Sequence, residues 1–185
     1  MKLITRVCLA LLLAITITFS NLHSNAHAAP LPISIDVNQT VDQILNNISF
    51  KTKFNILVIN KTGGTLRRVG AYNDSGNWPV GDIESNTALP VEFEGNSITN
   101  SFSIASNYKI NNGKYSQFVA TWPTIGSRKI GLAAINQEGN GPAKSAWENT
   151  NDKNDKALNN SPYQARAFIT GKGSSVVWVY EVTQA

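Results

Sequence analysis

The chain is 185 residues long, 42% hydrophobic and 15% charged, with a formal net charge of +4. Both histidines (His23, His27), the only cysteine (Cys8) and the only methionine (Met1) fall within the first 28 residues, so the remainder has no imidazole for general-base work and no thiolate as nucleophile or soft metal ligand. Setting Lys2 and Arg6 aside lowers the charge from +4 to +2, a balance too mild for nucleic-acid recognition yet compatible with a phosphate-rich surface.

Lys2 and Arg6 open a segment whose apolar run extends from Val7 to Phe19, and Ala26-His27-Ala28 forms an A-x-A pattern before Ala29. This is the layout of a secretory signal peptide over residues 1–28. The run is short for a membrane span, and Cys8 lacks the small-residue context of a lipid-attachment site. A secreted protein is therefore expected, whose mature part of about 157 residues suits one domain. Without disulfides, its core alone must hold the fold.

Residues 29–37 are apolar and extended in character, and Pro30 and Pro32 discourage helix there. Thr40-Val41-Asp42-Gln43 has the form of a capping box, and Val41, Ile44, Leu45 and Ile48 follow at helical spacing. A short amphipathic helix over 41–49 follows, within an N-terminal segment 29–50. Beyond Lys51 the pattern becomes β. Strands are expected at 54–59 and 65–72, with turns at 60–64 and 73–77. Shorter apolar runs near 89–93, 100–105, 115–122 and 129–136 are separated by turn residues. The polar, Asn-rich stretch 137–162 reads as a long loop with room for one short helix at 143–149 or 152–158. Two strands, 163–170 and 175–183, close the chain. Many short strands with frequent turns predict a mainly β, single-domain β-sandwich over 51–185, preceded by the short helix. Val176 to Val182 is apolar on both faces, the mark of a central strand with one face on the opposite sheet and the other under a helix.

Three stretches carry a resemblance. Residues 41–59 place an apolar helix, a basic link (Lys51, Lys53) and an apolar strand ahead of Asn60-Lys-Thr-Gly63. Ala71-Tyr-Asn-Asp-Ser-Gly76 forms a Tyr-x-x-Ser-Gly stretch. Ala165-Arg-Ala-Phe-Ile169 opens a closing hairpin that ends in an alternating apolar strand. Together these resemble the actinoporin family of pore-forming cytolysins, cysteine-free single domains with an N-terminal amphipathic segment ahead of a β-sandwich. Aegerolysin-like lipid-binding proteins share a comparable Asn-Lys-Thr-Gly turn and remain a competing resemblance. The family likeness implies a lipid-head-group site at Tyr72, Ser75, Gly76, Trp78, Trp122 and Pro123. It departs from the family at Phe118-Val-Ala-Thr-Trp-Pro123, which carries one extra residue, and at 124–136, which has no aromatic residue. Choline-lipid specificity is then lost or changed.

Ile33, Val37, Val41, Ile44 and Ile48 recur at spacings of four, four, three and four. One helix over 33–50 would be about 27 Å long at ~1.5 Å per residue, close to the ~30 Å core of a bilayer. Ile33, Val37, Val41, Ile44, Leu45 and Ile48 are thus the candidate membrane-inserting residues. The competing and favoured arrangement keeps 33–37 as a strand and the helix as a permanent cover on the sheet. Trp78 and Trp122 each precede proline, placing them on extended or turn backbone where an indole can reach a head group or a sugar ring. Trp178 alternates within a strand and reads as core, while Trp147 sits in the polar stretch. Asp82/Glu84 and Glu92/Glu94 are carboxylate pairs that read as solvated strand faces, and 151–155 lacks the glycine and terminal glutamate of a calcium loop.

These readings predict a secreted, non-enzymatic protein that binds a phospholipid or sphingolipid head group, self-associates on membranes and inserts its N-terminal helix. No cofactor, metal or nucleic acid is expected. A carbohydrate-binding lectin on the same sandwich, with a glycan as partner, is the alternative from a different class; a hydrolase working with carboxylates alone is the third.

Overall fold

The computed structural model describes residues 31–74, 77–145 and 155–185. The expected signal peptide, Ser75, Gly76 and Trp147 lie outside these residues. The elements are β1 (Ile33–Ser34), α1 (Val41–Asn46), β2 (Phe54–Lys61), β3 (Arg67–Asp74), β4 (Thr87–Phe93), β5 (Phe102–Ile110), β6 (Lys114–Trp122), β7 (Lys129–Ile135), α2 (Asn140–Ser145), β8 (Asp155–Asn160), β9 (Tyr163–Lys172) and β10 (Ser175–Gln184). They form a β-sandwich of one six-stranded sheet, β1-β4-β2-β10-β9-β8, and one four-stranded sheet, β3-β5-β6-β7.

The doubly apolar segments are central, as their composition requires. β2 and β10 lie side by side and parallel, Phe54 opposite Val176 through Lys61 opposite Thr183. Their residues alternate between two hydrophobic layers. Phe54, Ile56, Val58, Trp178, Tyr180 and Val182 join Phe102, Ile104, Tyr108, Ile110, Phe118 and Ile130 in the core between the sheets. Leu57, Ile59, Val177 and Val179 face the other way and pack against Val41, Ile44, Leu45 and Ile48. Fully burying such a side chain contributes about 1.5–3 kcal/mol, so both layers stabilise the same two strands.

α1 begins at the expected capping box. Thr40 Oγ1 accepts the Gln43 N–H at 3.2 Å, and Gln43 Oε1 accepts the Thr40 N–H at 2.8 Å. The helix stops at Asn47, shorter than the expected 41–49. It covers the six-stranded sheet, and Ile33–Ser34 pairs with Thr87 and Ala88 of β4. Residues 33–50 are therefore a strand, a turn and a helix, not one continuous helix.

The Asn60-Lys-Thr-Gly63 turn is organised by one buried amide. Asn60 Nδ2 donates to the carbonyls of Gly64, Ile83 and Glu84 at 2.7, 2.9 and 2.9 Å, and its Oδ1 accepts from the Thr62 N–H and hydroxyl. Gly63 adopts φ 75°, the left-handed region that favours glycine.

Strand ends shift by one or two residues in several places, β3 running 67–74 against the expected 65–72, and two differences are larger. β5 continues past 105 to Ile110, and the polar residues of this extension find partners: Ser106 Oγ donates to Gly70 O at 2.8 Å and Asn107 Nδ2 to Gly139 O at 2.9 Å. In the stretch expected as a loop with one helix, the helix falls at Asn140–Ser145 and Asp155–Asn160 is a strand. β8 has poor strand propensity, and its pairing with β9 overrides it; a short polar strand also suits a sheet edge.

Candidate functional site

One end of the sandwich is closed by aromatic rings, a direct result of register. Phe54 at the start of β2 lies opposite Phe93 at the end of β4, and Phe102 at the start of β5 lies opposite Trp122 at the end of β6. Phe54 stands 5.1 Å from Phe102 and 5.2 Å from Trp122 between ring centroids, Phe93 stands 4.8 Å from Phe102, and Trp178 backs the group 5.1 Å from Phe102. Tilted and edge-on pairs of this kind add about 0.5–1.5 kcal/mol each beyond simple burial. The raft is thus a rigid floor.

Lys53 is delivered onto that floor by a pinned backbone. Its carbonyl accepts the Val176 N–H at 2.7 Å, and the preceding Thr52 carbonyl accepts the Ser175 hydroxyl at 2.7 Å. The ammonium stands 4.7 Å from the centroid of Trp122 and 5.0 Å from that of Phe54. Cations are attracted to ring faces by the ring quadrupole. Here the protein's own cation takes the faces that an outside ammonium would need. Beside it opens a concavity of about 540 Å³ lined by Thr52, Lys53, Phe54, Phe93 and the loop of Glu94, Gly95, Asn96, Ser97 and Asn100. An anion entering it meets the Lys53 ammonium, with the Glu94 carboxylate also on the lining.

The residues proposed from sequence are divided among separate places. Trp122, half-buried, and Pro123 belong to the ring-capped end. Trp78 is only 3% exposed: its indole N–H donates to Tyr108 Oη at 2.8 Å and its ring packs 5.8 Å from Tyr180, so no head group reaches it. The Trp-Pro backbone is non-helical as expected, but the indole turns into the core. Tyr72 lies half-buried on the outer face of the four-stranded sheet, against Ala105 and Val119. Of the candidate inserting residues, Val41, Ile44, Leu45 and Ile48 are buried beneath α1, Ile33 is half-buried, and Val37 is 47% exposed. Sequence reasoning passed over Phe93 and the Lys53 ammonium as parts of one site; their only early signal is that Lys53 immediately precedes a strand beginning with an aromatic.

Several other charged groups have partners of their own. Asp82 Oδ1 accepts the Arg68 N–H at 2.8 Å, Glu84 Oε2 accepts the Thr65 hydroxyl at 3.0 Å, and Glu92 Oε1 accepts the Lys51 N–H at 2.7 Å. Arg166 holds the Asp155 carboxyl below its usual range through a 2.7 Å ion pair. Burial pushes the phenols of Tyr108 and Tyr180 upward, which keeps both protonated as hydrogen-bond donors to Val80 O and Val119 O. Among the described residues there is no group of three or more His, Cys, Asp or Glu side chains placed to hold a metal ion, and no helix long and apolar enough to cross a membrane. A second concavity of about 530 Å³, on the outer face of β8, β9 and β10, is lined by Asn159, Gln164, Arg166, Glu181 and Thr183 among others, none of them aromatic.

The fold is similar to that of a solved protein. The crystal structure of the lipid binding protein Nakanori aligns with a TM-score of 0.57 at 9% sequence identity, over 77% of this chain and 76% of that one. At that identity the likeness is one of fold. No protein-family model and no curated protein matches the sequence.

Proposed function

We propose that this is a secreted, non-enzymatic membrane-lipid-binding protein that docks its ring-capped end on lipid head groups and then releases its N-terminal segment into the bilayer to form a pore. The observation that carries the docking step is the Lys53 ammonium held over Trp122 and Phe54 at the mouth of an open concavity. A second cation is repelled from those rings, whereas a phosphate gains a charge-assisted hydrogen bond. The reading therefore assigns recognition to the phosphate of the head group, not to a choline. The shared fold with a lipid binding protein supports it.

Support for the release step comes from where α1 lies. No residue of 33–50 belongs to the core between the sheets, so the sandwich keeps that core when the segment leaves. Besides apolar contact, the segment is tied by the Lys172 ammonium to the carbonyls of Leu45 and Ile48, and by the Lys61 ammonium to Gln39 O at 2.6 Å. Lys61 is shared with Glu181 at 2.7 Å.

Vesicle co-sedimentation and dye leakage, run on protein beginning at Ala29, test both steps. Vesicles of phosphatidylcholine with phosphatidylserine should bind the protein, and Lys53→Ala should weaken binding by about tenfold. Deleting residues 29–50 should abolish leakage and preserve binding. Leakage that survives the deletion removes the insertion step. Failure to bind any vesicle composition removes the lipid reading, and a glycan array then tests the lectin alternative.

A further inference from the structure

Four large hydrophobic side chains are exposed among the described residues: Leu31, Val37, Ile98 and Ile125. Single exposed apolar residues are ordinary. Ile98 and Ile125 are not scattered, however. Each is 91% exposed, and they occupy the β4–β5 and β6–β7 loops, which leave the sandwich at the same end. Phe102, where the first loop ends, lies directly opposite Trp122, where the second begins. Both loops therefore rise from the aromatic floor beside Lys53.

Two further features set these loops apart from ordinary turns, and a third belongs to the first loop. Residues 95–101 and 123–127 contain no charged side chain. Charged residues near the loop bases include Lys51, Lys53, Arg128 and Lys129, with Glu92 and Glu94. Four backbone amides of the first loop are paired from within. Asn96 Oδ1 accepts the Ile98 N–H at 2.9 Å and the Thr99 N–H at 3.3 Å, while Asn96 N–H donates to Ser101 O at 2.8 Å and Asn100 N–H to Asn96 O at 2.7 Å. Asn100 adopts φ 53°, and a side chain at Gly95 would stand 2.8 Å from the Asn100 backbone, so the loop closes tightly. An amide already paired inside the protein loses nothing when water is withdrawn, the condition that backbone must meet to enter an apolar medium.

We infer that Ile98 and Ile125 form a two-pronged hydrophobic anchor that enters the acyl boundary of a phospholipid bilayer, holding the Lys53 end at head-group depth. This rests on the lipid-binding reading and adds to it the part that meets the membrane interior. Uncharged apolar tips with basic residues set behind them match a bilayer, whose apolar layer lies behind a layer of phosphate.

The chain from Ala29 onward has no cysteine, so one introduced cysteine carries a unique label. An environment-sensitive fluorophore is placed at Ser97→Cys or Thr124→Cys, beside the two isoleucines, or at Lys114→Cys on the opposite end as control. With vesicles of phosphatidylcholine and phosphatidylserine, the two loop labels shift to the blue and the control does not. Ile98→Ser and Ile125→Ser each weaken co-sedimentation by about tenfold, and together by about a hundredfold, with the thermal midpoint unchanged. If the double variant binds as tightly as the parent and the labels keep their colour, the anchor is refuted while the lipid reading stands on Lys53. A blue shift without vesicles, together with dimers in sedimentation, shows instead that the prongs join two copies of the chain and overturns the inference. No binding of the parent protein to these vesicles defeats the anchor and the lipid reading together.

Discussion

The two outer faces of the sandwich are both covered by a six-residue helix, yet apolar burial contributes far more to one cover than to the other. α1 lies on the six-stranded sheet through four apolar side chains, Val41, Ile44, Leu45 and Ile48, meeting Leu57, Ile59, Val177 and Val179. α2 lies on the four-stranded sheet with Ala143 as its one buried residue. Its region is fixed instead by polar contacts. Gln117 Nε2 donates to Pro142 O, Asn107 Nδ2 to Gly139 O at 2.9 Å, Gly139 N–H to Val69 O at 2.9 Å, and Ala71 N–H to Asn140 Oδ1 at 2.9 Å. Hydrophobic contact is non-directional and moves readily to another apolar medium. Directional bonds to buried amides have no equivalent partner there. Under the proposed release step, this difference favours α1 over α2 as the element that leaves, once the Lys172 bonds to the Leu45 and Ile48 carbonyls are broken.

The comparison breaks most sharply at Ile44. Ile44→Asp places an unpaired carboxylate in the α1 layer, with an expected cost of about 3–5 kcal/mol if the helix stays in place. Lifting α1 avoids most of that cost. Hydrogen exchange should therefore show amides 41–46 losing protection while those of β5 and β6 keep theirs. Uniform loss of protection would mean that α1 and the sandwich unfold as one unit.

The opposite cover responds to Gly70. A Cβ added there would stand 2.1 Å from Gly139 O, a contact with backbone that cannot rotate away. Gly70→Ala should destabilise the whole protein by about 1–3 kcal/mol, visible as a lower thermal midpoint. An unchanged midpoint would show that the polar cover is the looser of the two.

Alkali acts between the covers and should affect both alike. The folded state holds the Tyr108 and Tyr180 protons above their ordinary value of 10.0. Below that pH the contribution is fully present. As pH rises past it, the unfolded chain releases these protons first, and stability falls by up to about 1.4 kcal/mol per pH unit for each phenol. Urea midpoints should stay level to about pH 9 and then decline, a trend that Tyr108→Phe should soften.

Much of the fold is legible because burial on two sides leaves a plain mark. The runs at 54–59 and 176–182, apolar but for Asn55 and Glu181, announce central strands, and the Thr40/Gln43 box announces the start of α1. β8 left no such mark, because an edge strand needs only its partner's hydrogen bonds and carries the Asp, Lys and Asn of a loop. The candidate site was half legible. Trp122 lies at the ring-capped end, whereas Trp78, chosen by the same rule, is buried. The rule fixes the backbone and says nothing of the ring, which turned inward to pack among Tyr108, Tyr180 and Val80. Ile98 and Ile125 went unseen because one apolar residue among turn-formers has no period to detect.

The parallel pairing of β2 with β10 has a consequence in time. The strand that completes the centre of the larger sheet is the last of the described residues to be synthesised, and its partner lies more than a hundred positions earlier. Closing so long a loop is slow. Until β10 arrives, β2 is open along one side and the ring-capped end lacks Trp178. The growing chain thus has no complete sandwich to collapse into until β10 has been made.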